Sequence, residues 1–212
     1  VFDFEGRTSP QRDLVGWLRM AQEKGFFVIL RPSPNEAGEW PNAGLPERLL
    51  PYHRLHPVYV QEVRRYYDAA LSVAIPFLAT RGGPVVALQA DNEPHADLCG
   101  KYDQIVPSDG RGLFADWLRS AYEDVASLNA AWNACYGAFE EARPFYEEPI
   151  VNRESPALRR LLPVGGLDVR FTDTQRFAQW YAAEIVRWTA EYFREAGVDV
   201  PITANIWHPT AL

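Results

Sequence analysis

The stretch Gly82-Gly83-Pro84-Val85-Val86-Ala87-Leu88-Gln89-Ala90-Asp91-Asn92-Glu93 constrains the fold more than any other part of this chain. Two glycines and a proline make a tight turn, and Val85, Val86 and Leu88 follow as a short apolar run. A run this short, apolar on both faces, reads as a strand covered from both sides, which is the habit of parallel strands. It leads to an Asn-Glu pair, so an amide and a carboxylate stand together at the strand's carboxyl end. In barrels that alternate strands and helices, that end carries the chemistry. The run therefore asks for an α/β fold and nominates Asn92 and Glu93 as site residues.

The neighbouring patterns fit such a fold. Ser9-Pro10 reads as a helix start, with the hydroxyl at the N-cap and proline at the first helical position. Leu14, Trp17, Leu18 and Ala21 then recur at helical spacing until Gly25. Phe26 to Leu30 is apolar and too short for a helix, so it is predicted as a buried strand. Arg31-Pro32-Ser33-Pro34 breaks it into a loop reaching His56, and a loop that long usually carries function. Pro57 opens a helix predicted to run to Thr80, with Pro76 shortening its end. Strand, helix and strand in that order make a right-handed parallel unit. Further on, a polar loop covers 94–109, helices are predicted over 112–122 and 127–134, and 137–170 reads as an irregular insertion. Thr172 or Asp173 caps a last helix with Phe177, Trp180, Tyr181, Ile185, Trp188 and Tyr192 on its buried face. That helix stops at Gly197, and 200–206 is the last strand.

The central run resembles the active-site signature of family 35 glycoside hydrolases, the β-galactosidases. There Gly-Gly-Pro, an apolar run and Gln lead to Glu-Asn-Glu and an aromatic residue. The chain matches at Gly82, Gly83, Pro84, Gln89, Asn92 and Glu93, and departs at Asp91 (Glu in the family) and Pro94 (Tyr or Phe). A Glu followed by Pro is similar to other members of the same barrel superfamily. Phe2 to Gly6, Arg12-Asp13-Leu14 and Phe27 to Pro34 resemble the family's entry into its third barrel strand, continued by Glu39-Trp40 and Gly44-Leu45-Pro46. Asn35-Glu36-Ala37-Gly38 stands where the family has a Tyr-Ile-Cys-Ala-like run. Trp117-Leu118, Tyr122, Leu128-Asn129, Ala131-Trp132 and Pro201 to Asn205 are more similar to the related family 42 β-galactosidases.

The resemblance implies an α/β chain forming part of a (β/α)8 barrel, its strands being the third, fourth and fifth. Residues 1–212 would then be an internal piece of a single catalytic domain, with open sheet edges. It implies a retaining glycoside hydrolase of β-galactosidase type, acting on terminal β-linked sugars, with Glu93 as general acid/base. The nucleophilic carboxylate would come from the seventh strand, outside this chain. Asp91 is not expected to replace it, since neighbours on a strand point to opposite faces. Asn92 would donate to the sugar 2-hydroxyl, and Glu39 would accept from two hydroxyls, with Glu36 competing for that part. Trp40 and Trp207 are candidates to stack on the sugar, and Asn205 and His208 to face it from the last strand. Arg31 would brace a loop or carboxylate. The residues alone leave ordinary roles open: a bare strand-end carboxylate, a turn-capping Asn, core tryptophans. No metal or cofactor is called for. The alternatives are a β-glucosidase or β-glucosaminidase of the same superfamily, and a sugar-binding barrel without catalysis.

The net charge of −7 argues against a nucleic-acid partner, and Arg64-Arg65 and Arg159-Arg160 are only pairs. No segment reaches the roughly 20 apolar residues of a membrane span. Cys99 and Cys135 read as free thiols in a reduced compartment, which tilts localisation toward the cytoplasm. Oligomeric state is left open.

Overall fold

The computed structural model describes residues 2–34, 44–94, 112–145 and 167–205. Three short strands, β1 (Val28–Leu30), β2 (Val85–Gln89) and β3 (Ile202–Thr203), form one parallel sheet in the order β1-β2-β3. Val28 faces Val85 and Leu30 faces Leu88, while Leu88 and Gln89 face Ile202 and Thr203. The carboxyl ends of all three strands therefore lie side by side. The central strand matches the expected boundaries, because Val85 and Leu88 are fully buried as a central parallel strand requires.

Two corrections apply to the outer strands. The first begins at Val28 rather than Phe26, and Phe27 and Ile29 are 84% and 64% exposed, so it is half-buried among the described residues. The last is only Ile202–Thr203, although Val200 is buried in the same core, and residue 206 lies outside the described residues.

Helix α1 (Leu14–Glu23) is capped by Asp13, whose carboxylate accepts from Gly16 N at 2.8 Å. Ser9 instead precedes a short 3-10 turn, Pro10–Arg12, and makes no capping bond. Helix α2 (Pro57–Ala74) links β1 to β2, and its end tightens into a 3-10 turn, Ile75–Phe77, at Pro76. Helix α3 (Leu113–Ala121) precedes α4 (Val125–Trp132), which starts two residues earlier than its apolar pattern suggests because Asp124 and Ser127 form a capping box. Helix α5 (Leu167–Glu195) starts well before Thr172 or Asp173. Asp173 is inside the helix and buried, accepting hydrogen bonds from Tyr122 Oη and, at 2.8 Å, from Trp132 Nε1. Burial, and then that carboxylate, push the Tyr122 phenol up to about 12. A tertiary polar hub thus occupies a residue whose type suggested a cap.

The chain divides into two compact units. The first, Val1–Pro94 with Ala183–Leu212, holds the sheet and a core of Leu18, Val63, Tyr67, Leu71, Leu78, Val85, Leu88 and Phe193. The second, His95–Ala182, is built on Phe114, Leu118, Leu128, Trp132 and Phe177.

The turn into β2 explains the paired glycines. Gly82 has φ +82°, in the left-handed region that glycine adopts without steric cost. Gly83 lies against the preceding turn, where a Cβ would stand 2.1 Å from the Phe77 carbonyl oxygen. Gly83→Ala is expected to destabilise by about 3 kcal/mol and Gly82→Ala by about 1 kcal/mol. Denaturant unfolding measures both, and a wild-type midpoint for Gly83→Ala would mean the turn can shift freely.

His53, in the loop before α2, adds a pH dependence. Burial, and next the charge of His56, push its imidazole down from 6.5 to about 4. Between those values the unfolded chain binds a proton that the folded chain refuses. This contribution is complete above pH 6.5 and is lost as the pH falls toward 4, with a slope of at most about 1.4 kcal/mol per pH unit. Urea titrations at pH 7 and pH 5 should show that loss, and His53→Gln should reduce it. An undiminished difference in the variant would assign the dependence to other groups.

Candidate active site

Every described site residue belongs to the sheet-bearing unit and comes from the segment following one of the strands or the loop leading into α2. Arg31 and Ser33 follow β1, Asp91 to Glu93 follow β2, Asn205 follows β3, and Arg54 stands three residues before α2. Parallel strands in register make this convergence automatic.

Strand β2 stops at Gln89, and the chain then bends sharply. Asp91 and Glu93 have φ of +64° and +45°, a region that residues with a Cβ rarely enter. The alternation expected of a strand therefore does not apply to Asp91. Its carboxylate is buried by a different route: one oxygen pairs with the Arg54 guanidinium, and the other accepts from Ser33 Oγ at 2.9 Å. That second oxygen also accepts from the backbone N–H of Asn92 at 2.7 Å. Asp91 is 2% exposed and Arg54 6%.

Asn92 is also buried, and its side-chain oxygen accepts from Arg31 Nη1 at 2.6 Å and from Asn205 Nδ2 at 3.1 Å. A guanidinium can only donate, so the amide orientation is fixed with oxygen toward Arg31. Its NH2 end is the one left to serve a ligand. Arg31 thus braces the amide of the segment after β2.

Asn205, just past β3, bonds to residues after β2 and at its end. Its Oδ1 accepts from Gln89 Nε2 at 2.7 Å and from the backbone N–H of Glu93 at 3.0 Å, while its Nδ2 holds Asn92. Glu93 is half-buried at the end of this framework. The arrangement offers one carboxylate able to exchange a proton, and beside it an amide donor of fixed direction.

Sequence reasoning missed Ser33 and Arg54, and read Asp91 only as a failed nucleophile. Ser33 could have been found from its place just past β1. Arg54 carries no local signal, since an arginine between two prolines reads as surface. Glu36, Glu39, Trp40, Trp207, His208 and Cys99 lie outside the described residues. Cys135 is exposed and free. Among the described residues no group of His, Cys, Asp and Glu could hold a metal ion, and no helix is long and apolar enough to cross a membrane.

Residues 1–137 match the family described as "Glycosyl hydrolases family 35". The chain is 31% identical to an exo-β-D-glucosaminidase of Thermococcus kodakarensis, over 95% of this chain and 27% of the relative. It is 40% identical to β-galactosidase-1-like protein 2 of Homo sapiens, over 43% of this chain and 15% of the relative. It is 39% identical to β-galactosidase 17 of Arabidopsis thaliana, over 38% of this chain and 12% of the relative. The chain thus spans about a quarter of the length of the exo-β-D-glucosaminidases it matches.

Proposed function

Since this chain belongs to glycosyl hydrolases family 35, we propose that it forms part of the catalytic (β/α)8 barrel of a retaining, exo-acting β-glycosidase. Residues 1–212 are read as a piece of one catalytic domain. The three parallel strands support this, as does the place of β1 at an edge of the described sheet, with Ile29 and the preceding Phe27 exposed. Barrels close their sheets and leave no such edge.

The observation that carries the reading is the Asn92-Glu93 pair at the carboxyl end of the central strand, with the Asn92 amide oriented by Arg31. Glu93 is the general acid/base. As a second carboxylate attacks the anomeric carbon, the bond to the leaving oxygen breaks and Glu93 donates its proton there. A glycosyl-enzyme results; water then attacks the same carbon, Glu93 takes the water's proton, and the nucleophile is released. That nucleophile must stand about 5 Å from Glu93 and is contributed from outside this chain. Asn92 donates to the sugar 2-hydroxyl, a bond that strengthens as charge develops at the neighbouring carbon. Glu39 or Glu36, Trp40 and Trp207 would complete the sugar site, and no cofactor is needed.

The orientation of Asn92 bears on which sugar is taken. A 2-hydroxyl can accept from the presented NH2. A 2-ammonium has only donors, and would bring a positive charge toward Arg31. This favours a neutral sugar over an amino sugar, and the galactoside is taken from the family resemblance. A second reading, an exo-β-glucosaminidase, is favoured by the relative matched over 95% of the chain. A nitrophenyl glycoside panel on the intact protein separates them: the β-galactoside should be cleaved fastest. Faster turnover of the glucoside or glucosaminide would replace the galactose assignment, and no turnover at all would favour a binding barrel.

Glu93→Gln keeps the shape and removes the proton. It should cost about 10²–10⁴-fold in kcat/KM on a disaccharide, and much less on a nitrophenyl glycoside, whose leaving group departs without protonation. Equal losses on both would mean that Glu93 is not the acid.

A further inference from the structure

We propose that Asp91 is the positioning residue of this site: gripped by Arg54 and Ser33, it sets the backbone bend that aims Asn92 and Glu93. The inference rests on the glycosidase reading but concerns a residue too buried to touch substrate. Three observations carry it.

First, the bend is one the local sequence does not favour. Asp91 and Glu93 both sit at positive φ, with no glycine among residues 90–93. Such backbone persists only where surrounding structure imposes it.

Second, the imposing groups converge on Asp91. Its Oδ1 accepts from the Asn92 backbone N–H at 2.7 Å, so the carboxylate acts as a template for the next peptide. Ser33 Oγ holds the same oxygen at 2.9 Å, Arg54 holds the other, and Gln89 Nε2 donates to the Asp91 backbone carbonyl at 2.9 Å. The direction in which residues 92 and 93 leave the strand is thus set by contacts from two other segments and from Gln89 at the end of β2 itself.

Third, Asp91 acts on the two residues whose aim matters only through the backbone: it holds the Asn92 N–H directly and reaches Glu93 only along the chain. Asn92 receives its side-chain orientation from Arg31 and Asn205, and Glu93 N–H is held by Asn205. Those grips meet their partners only if the bend is already formed.

The test uses the intact protein and two variants. Asp91→Asn keeps the shape but turns one acceptor oxygen into an NH2 donor and removes the negative charge paired with Arg54. Ser33→Ala removes one bond to Asp91, keeps the ion pair, and serves if Asp91→Asn does not fold. The readout is kcat/KM on a β-linked disaccharide against a nitrophenyl glycoside. A smaller folded fraction lowers both equally; a misaimed acid lowers the disaccharide rate selectively. Asp91→Asn should lose about 10²-fold on the disaccharide, mostly in kcat, and far less on the nitrophenyl glycoside. Ser33→Ala should lose several-fold with the same selectivity. Losses equal on both substrates would overturn the proposal.

A second measurement does not depend on turnover. Amide hydrogen exchange at Asn92 and Glu93 should quicken in Ser33→Ala while global unfolding stability stays near wild type. Unchanged exchange there would overturn the positioning role. If the wild-type protein cleaves no β-glycoside, the glycosidase reading fails, and the exchange result still decides whether Asp91 holds the bend.

Discussion

A carboxylate as buried as Asp91 is stable only where a cation and hydrogen-bond donors replace the water it has lost. Arg54 supplies the charge, and Ser33 and the Asn92 backbone supply the donors. Removing one partner of such a pair typically costs about 3–5 kcal/mol, because the other is left buried and uncompensated. The segment after β1, the loop before α2 and the segment after β2 are thereby committed to one another at a single point. From there the polar network spreads outward. Arg31 and Asn205 meet at Asn92, and Asn205 draws in Gln89 and Glu93, so the end of β3 is tied to the end of β2. These bonds continue the sheet's cohesion past the point where strand pairing stops.

Much of the fold was legible where backbone demands and side-chain pattern agree. The boundaries of β2 follow from Gly82 and Gly83 on one side and from its unbroken apolar run. Helix α2 begins at Pro57 and tightens at Pro76 for the reasons the sequence suggests. Misreadings occurred where one residue type serves two purposes. Ser9 looks like a cap, but Asp13 captures the helix start with a carboxylate aimed at Gly16. Asp173 also looks like a cap, yet it answers Tyr122 and Trp132 from inside α5. Local pattern cannot reveal that a carboxylate will be claimed from a distant part of the chain.

The site divides along the same line. Asn92 and Glu93 are readable because a motif at a strand end is contiguous in sequence. Their supports are not contiguous: Arg31 and Arg54 reach the bend from 61 and 37 positions earlier, and Asn205 from well over a hundred later. Arg54 is the clearest case. Its type and loop setting suggest solvent, yet it is buried and paired with Asp91. Asn205 stands just past the end of β3, but a strand-end position does not say whether an amide will serve a ligand or a neighbouring loop. Here all three of its bonds go to the protein.

The bend also explains why a strained backbone is retained. Glycine at positions 91 and 93 would enter the left-handed region freely, whereas each residue with a Cβ costs about 1–2 kcal/mol there. Glycine, however, has no carboxylate. At 91 that would remove the template for the Asn92 peptide and the carboxylate paired with Arg54; at 93 it would remove the group able to exchange a proton. The strain is therefore inseparable from the side chains that make the site. The Asp91–Arg54 pair is of the right order to offset it, since the loss of one partner outweighs the strain of either residue. Local foldability is conceded at the one place where two acidic side chains must stand on either side of an oriented amide, and recovered in the buried contacts around it.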